Sequence, residues 1–375
     1  MTGIRICHIT TVHPPFDVRI FHKECRSLAR AGYDVHLIAD CGREQTSGGI
    51  HLIPFRKSRV PGAGRLIHAW RAFRIAARLR AAAYHFHDPE LLWVGVWIKL
   101  LIRAPVIYDV HEDIRKHALG KAWIRPPFRT LLAAGLSFLE KLSTPFFDRI
   151  VLAEDSYAAR FRSGCPVIHN YPILREAPDS LPKHGGPVLI YVGAIREIRG
   201  VWEMLEILEH LKIDFPCIRL RLLGPFYPAG LEQDVRAFIR RRGLDSQIHI
   251  LGPVPHADIF RPIADADVGL ALLHPDANYV GSLPTKMFEY MMMGKPAAVS
   301  DFPLWRRIVR ETGCGVTVDP LNAEDTARIL RSLLQDEEKR TEMGGKGRAA
   351  VRRKYNWNAE ERKLLACYRD LTSGR

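Results

Sequence analysis

Residues 171–193 read YPILREAPDSLPKHGGPVLIYVG, and how this stretch is divided decides the fold. Its first part, 171–187, carries four prolines and two glycines, few apolar residues and no periodicity, which is the composition of a linker. Its end, PVLIYVG (187–193), is a short apolar run rich in β-branched residues and closed by glycine, which reads as a buried strand. A linker followed by a fresh strand means that the chain folds once before residue 170 and again after residue 187.

Both sides repeat the same pattern. Before the linker, RICHI (5–9), DVHLIAD (34–40), HLIPF (51–55), YHFH (84–87), PVIYDV (105–110), RIVLA (149–153) and PVIHN (166–170) alternate with helix-length segments at 21–32, 65–83 and 90–102 and a helix from Asp155. After it, RLRLLG (219–224), IHILG (248–252), DVGLALL (267–273), PAAVS (296–300) and GVTV (315–318) alternate with helices near 199–211 and 231–243. Strand and helix in alternation predict parallel sheets wrapped by helices. The expected class is therefore α/β, with two Rossmann-like domains, 1–170 and 188–356. At 375 residues the chain also exceeds the roughly 250–300 at which one core stops growing. Ligands of such sheets bind outside the carboxyl ends of the strands, and a cleft between two such domains is the usual result.

Composition narrows the class. Apolar residues at 47% and charged residues at 26% describe a globular chain. The longest apolar run, LLWVGVWIKLLI (91–102), is interrupted by Lys99 and falls short of the roughly 20 residues of a spanning helix. No signal peptide is visible, so a cytoplasmic location is expected. The seven cysteines form no CxxC pair, which supports neither a zinc site nor a disulfide framework. The net charge of +14 is uneven: residues 1–170 hold 25 Lys/Arg against 14 Asp/Glu, leaving 30 against 27 for the rest. A basic first half attracts anionic lipid, a phosphorylated substrate or nucleic acid.

Polar clusters fall at the strand ends. TTVHPPFDVRIFHKE (10–24) gathers His13, Asp17, Arg19 and Lys23, as a site or as a solvated turn. HFHDPE (85–90) places His85 and His87 in alternation, so one of them is expected to face the cleft, and His87 is the choice, with Asp88 beside it. YDVHED (108–113) adds Asp109, His111 and Glu112. Neither HExxH nor comparable ligand spacing is present, so no metal is expected. In the second half YVGAIREIRG (191–200) ends a strand at Gly193 and supplies Arg196 and Arg199, residues suited to phosphate oxygens. YVGSLPTKMFEY (279–290) then runs a Gly/Ser/Thr loop, with Lys286, into a helix start, which reads either as an anion cradle or as an ordinary cap. Neither GxGxxG nor GxxxxGK[ST] occurs, which argues against a dinucleotide dehydrogenase and a P-loop NTPase.

HxxFDxRIxxKE, HFHD, YDVHE, YVGxIxxxRG, GSLPTKMFEYMMMGKPAAVSD and a closing KGRAAVRRKYNWNAEERKLLACY, in this order, resemble the GT-B glycosyltransferases of family 4, the retaining nucleotide-sugar enzymes. The resemblance covers essentially the whole chain. It implies a hexosyltransferase that takes a nucleoside diphosphate sugar as donor and a glycan or lipid-linked acceptor, with no metal or other cofactor, in polysaccharide or lipopolysaccharide assembly. It also implies a last helix, about 357–373, crossing back to the first domain. By position, Glu289 matches the ligand of the donor ribose, and Ser282, Leu283 and Thr285 match the diphosphate loop. Arg199 matches a charged residue of that site, and His87 matches a histidine near the transferred sugar. Asp17, Arg19, Lys23, His111 and Glu112 fall on the acceptor or sugar side.

Two departures stand out. Ala194 replaces the usual arginine, so Arg196 or Lys286 is expected to supply its charge. Gly281 stands where the first of two glutamates spaced by eight belongs. HPPFDVR replaces a glycine-rich first loop, which points to a side-chain phosphate contact from Arg19. Basic and aromatic residues mix in RLIHAWRAFRIAARLR (65–80) and in 115–142 (Trp123, Ile124, Phe128), which fits either peripheral contact with an anionic membrane or helices packed on the sheet. A sugar-nucleotide 2-epimerase of the same fold is the alternative enzyme. A basic nucleic-acid-binding protein is the non-enzymatic one, and it lacks any recognisable binding module.

Overall fold

The computed structural model describes residues 3–55, 64–120, 124–161, 163–178 and 185–373, without the side chains of residues 64–66 and 117. Residues 179–184 of the expected linker, Trp123, and the side chains of Arg65 and Leu66 lie outside the described residues. The chain divides into two compact units, one of residues 1–170 and 357–375, the other of residues 171–356.

The first unit is built on β1 (Arg5–Ile9), β2 (Asp34–Ala39), β3 (Gln45–Ser47), β4 (Ile50–Pro54), β5 (Ala83–Phe86), β6 (Val106–Val110) and β7 (Arg149–Leu152). Their order across the sheet is β3-β4-β2-β1-β5-β6-β7, and every pairing is parallel except β3 with β4. Both faces are covered by helices, so the central strands β5 and β6 are buried at every position. Helix Gly64–Leu79 turns Ala69, Ala72, Phe73 and Ala76 inward, the three- and four-residue spacing of one helical face. The first helix opens with a π-helical turn over Ile20–Cys25. Where a helix was expected from Asp155 there is a short 3-10 segment, Asp155–Arg160. Helix Trp357–Thr372 belongs to this unit, with Trp357 donating to Ser27 Oγ at 2.9 Å.

The second unit holds β8 (Val188–Val192), β9 (Arg219–Leu223), β10 (Ile248–Gly252), β11 (Val268–Ala271), β12 (Ala297–Ser300) and β13 (Gly315–Val318) in the parallel order β10-β9-β8-β11-β12-β13. The order reverses beside β8 and β11, and the loops that leave these two strands are the ones sequence marks as polar. Glycine is required where β8 and β9 end. Gly193 has φ +121°, and Gly224, φ +148°, lies so close that a Cβ there would stand 2.1 Å from the Gly193 carbonyl oxygen. Tyr171, the first residue of the expected linker, is buried against Phe288 and Tyr355 of this unit.

Candidate active site

In the second unit a cavity of about 430 Å³ opens at the carboxyl ends of β8, β9 and β11. Gly193, Arg199, Ser282, Leu283, Thr285, Lys286 and Glu289 all line it, so residues nearly a hundred positions apart converge. A Cβ at Gly193 would stand 3.5 Å from Lys286 Nζ and 4.0 Å from an Arg199 terminal nitrogen, so the absent side chain leaves the two cations side by side.

Their partners are neutral. Arg199 Nε donates to the Tyr279 hydroxyl at 3.3 Å, and Lys286 Nζ to the Tyr191 hydroxyl at 3.4 Å while lying 4.6 Å from the centre of that ring. Neither has a carboxylate at ion-pair distance among the described residues. Burial, then the neighbouring Arg199, push the Lys286 ammonium down to about 7, against a smaller opposing pull from Glu289. Helix Thr285–Met292 begins beside this pair after Pro284, and no side chain caps it. Pro284 has no N–H to give, and the Ser282 N–H already donates to the Tyr279 carbonyl at 3.1 Å. That leaves the first turn of the helix, with the positive end of its dipole, as the backbone contribution.

Glu289 sits one turn further along the helix, 5% exposed, with Oε1 2.7 Å from His256 Nε2. The carboxylate is therefore held in a fixed rotamer. Arg196 is not part of this group: it is exposed, with its guanidinium 5.1 Å from the centre of the Tyr227 ring, and lies outside the cavity lining. Of the two residues expected to supply the charge that Ala194 lacks, Lys286 lines the cavity and Arg196 does not.

The first unit places its polar residues differently. His85 and His87 do not point apart: residues two apart along a strand share a face, and the two rings stack at 4.5 Å. His87 is 1% exposed, with Nε2 2.9 Å from His8 Nδ1 and Nδ1 3.2 Å from His111 Nε2. Burial pushes its imidazole down to about 4, which keeps it neutral. Tyr368, from the last helix, closes the network, its hydroxyl 2.7 Å from His85 Nδ1 and 3.0 Å from His8 Nε2. His111 is the half-buried member, 2.7 Å from Asp109 Oδ2. Burial alone would raise Asp109, but Arg19 and His111 overcome it and hold the carboxyl well below its usual range.

Arg19, expected to reach a phosphate, is instead 4% exposed. It donates through Nε and Nη2 to both oxygens of Asp109, at 3.1 and 2.9 Å, and through Nη1 to the Ile168 carbonyl at 2.7 Å. Lys23 is 1% exposed and donates to Asn170, so it too is withdrawn from solvent. Asp17 accepts from the Arg19 and Ile20 N–H groups at 2.8 and 2.9 Å and so shapes the turn before the helix. Glu112 is exposed and acts electrostatically on His13. Asp88 accepts from Thr10, Thr11 and Val12, pinning the loop after β1 to the end of β5.

Sequence reading missed Tyr279 and His256 in the cavity, the buried Tyr191 against Lys286, and His8 and Tyr368 in the histidine network. Tyr279 stands at the head of the loop that was read, and its place there was the available signal. His256, in PVPHAD, carries none.

The comparisons agree with this geometry. The profile described as "Glycosyl transferases group 1" matches residues 174–350, and that of a "Glycosyl transferase 4-like domain" matches 18–163. A curated relative, the phosphatidyl-myo-inositol mannosyltransferase of Mycobacterium leprae (strain TN), is 25% identical over 305 residues, 77% of this chain and 74% of its own. Sucrose-phosphate synthase from Thermosynechococcus elongatus superposes with a TM-score of 0.79 at 18% identity, over 99% of this chain and 100% of that one. Anabaena HepE, solved in complex with UDP-glucose, gives 0.74 at 14% identity over 98% of this chain and 99% of its own. Two parallel-sheet units, a cation pair at a helix start and a profile match to each unit lead to one conclusion: the chain belongs to the group 1 glycosyltransferases, and its fold is GT-B.

Proposed function

We propose that the protein moves a hexose from a nucleoside diphosphate sugar to a hydroxyl of a glycan or lipid-linked acceptor, with retained configuration, in the assembly of a cell-surface polysaccharide or lipopolysaccharide. The observation that carries this is the pair Arg199 and Lys286, two cations held against Gly193 with no carboxylate partner among the described residues. Two uncompensated charges side by side repel, and a diphosphate relieves the repulsion. The relative that superposes in complex with UDP-glucose supports a donor of this class.

On this reading the diphosphate lies against Arg199, Lys286 and the first turn of helix Thr285–Met292, and Glu289 accepts from the ribose hydroxyls. Negative charge grows on the departing diphosphate as the glycosidic bond breaks, and the two cations stabilise it there. The acceptor hydroxyl attacks on the face the leaving group vacates and passes its proton to the departing phosphate. The proposal gives no metal or other cofactor a role. In the first unit His111 faces the acceptor, and His87, enclosed behind it, orients its ring.

The acceptor is lipid-linked. Helix Pro126–Ser143 presents Phe128, Leu131, Phe138 and Leu142 outward at 63, 70, 65 and 54% exposure, with Arg125 and Lys141 exposed beside them. Apolar anchors flanked by cations fit an anionic membrane surface, and no helix among the described residues is long and apolar enough to cross one. The name of the mannosyltransferase relative includes a phospholipid, phosphatidyl-myo-inositol, which supports the same choice. Liposome flotation tests it: binding that ignores the anionic lipid content removes the membrane contact.

A thermal-shift and hydrolysis screen of UDP-, GDP-, ADP- and dTDP-sugars tests the donor site. One class is expected to stabilise the protein, and Glu289→Ala to abolish that shift. An unchanged shift in the variant overturns the ribose assignment, and an epimerised nucleotide sugar formed without any acceptor points to the epimerase.

A further inference from the structure

The edge of the first sheet carries a second polar constellation that sugar transfer does not use. His36 on β2 and His51 on β4 are direct register partners on adjacent parallel strands. Asp34 lies two residues before His36, so it projects from the same face of the sheet. Strand geometry alone thus gathers two imidazoles and a carboxylate at the amino ends of β2 and β4, whereas His111 follows the carboxyl end of β6.

The three side chains converge on one point. His36 Nε2 is 3.0 Å and His51 Nε2 is 3.5 Å from the same oxygen, Asp34 Oδ1, and the two rings stack at 4.7 Å. Ligands of a tetrahedral metal with bonds of about 2.0–2.1 Å stand roughly 3.3 Å apart, and the two measured separations bracket that spacing.

The surrounding contacts prepare the same atoms. His51 Nδ1 is 3.2 Å from Thr46 Oγ1 on β3; a proton on that nitrogen leaves the Nε2 lone pair directed at Asp34. The other oxygen, Asp34 Oδ2, accepts from Arg5 Nε at 2.9 Å, which fixes the carboxylate and leaves Oδ1 for the imidazoles. His36 Nδ1 is buried and has no hydrogen-bond partner among the described residues. The site is reachable: the His51 side chain is 46% exposed and that of Asp34 22%.

We propose that Asp34, His36 and His51 form a three-ligand site for a divalent cation of the zinc class, with the fourth position open to water or to a donor from another molecule. Two imidazoles and one carboxylate favour Zn²⁺, Co²⁺, Ni²⁺ or Cu²⁺ over Mg²⁺ and Ca²⁺, which take all-oxygen sets. The bound ion joins β2 to β4 through their side chains and, through Thr46, steadies the short β3 at the sheet edge. It takes no part in sugar transfer, so the site stands or falls apart from the donor reading.

The test uses the full chain, free of any histidine tag, titrated with Co²⁺ alone. A ligand-field absorption band that saturates at one equivalent and is displaced by Zn²⁺ is the expected result. His51→Ala replaces an exposed side chain and is expected to fold, to lower Co²⁺ affinity at least tenfold, and to lose the rise in melting temperature that Zn²⁺ gives the unaltered chain. No band at stoichiometric Co²⁺ overturns the proposal, as does a band of equal strength in His51→Ala.

Discussion

Arg19 in the first unit and Arg199 in the second both stand near the carboxyl ends of a parallel sheet, yet they keep different company. Arg19 is enclosed, with a bidentate hold on Asp109 and Glu24 Oε1 3.0 Å from its Nε, so its charge is answered within the fold. Arg199 faces a cavity, with tyrosine and a backbone carbonyl as its partners and the Lys286 ammonium nearby. An answered charge holds a structure together, and an unanswered one waits for a ligand. The lesson is that charge density alone did not separate the two regions in the sequence; pairing does.

Substitutions can break this contrast. The largest effect is expected from Arg199→Ala, which removes half of the cation pair: kcat/KM falls by about 10²–10³, while the melting temperature holds or rises. Arg19→Met reverses the pattern. It strands Asp109 in the interior and costs about 3–5 kcal/mol of stability, read by denaturant unfolding, with the second unit's donor-induced thermal shift retained. If Arg199→Ala unfolds the protein as readily as Arg19→Met, the contrast fails.

Lys286 sharpens it further. Its ammonium lies at about 7 without a ligand, and a bound diphosphate favours the charged form, so its pKa is higher in the complex. Donor affinity is therefore fully present below pH 7 and declines as pH rises through the interval between the two values, by at most about tenfold per pH unit. Calorimetry in buffers of different ionisation enthalpy is expected to show proton uptake on binding near pH 8, and Lys286→Arg to remove it. The smallest effect belongs to Tyr368→Phe, which deletes one hydroxyl from the buried histidine network and costs about 1 kcal/mol. A change in donor KM in that variant would contradict the separation of the two sites.

Much of this was legible beforehand because it is local. The restart of strand and helix after residue 187 is a matter of periodicity, and the loop ending in Thr285 and Lys286 announces a helix start through its own residues. The misses share a cause. Arg19 pairs with Asp109, 90 positions away, and His256 with Glu289 across 33, so neither pairing leaves a mark in its own segment. His85 and His87 were expected to part, with one of them facing the cleft, but the period of two along a strand puts residues i and i+2 on the same face. The edge strand β3, QTS, is polar and short, and it forms because β4 offers it an antiparallel partner.

The last helix, Trp357–Thr372, belongs to the unit that the chain began, and Tyr368 reaches His8 across 360 positions. Synthesis thus sets an order. The second unit is contiguous and can close as soon as residue 356 leaves the ribosome, while the first, although made earlier, must wait for the final residues to complete its core. Contacts of such sequence separation are slow to form, so the older half of the nascent chain is the one that stays incompletely folded longest.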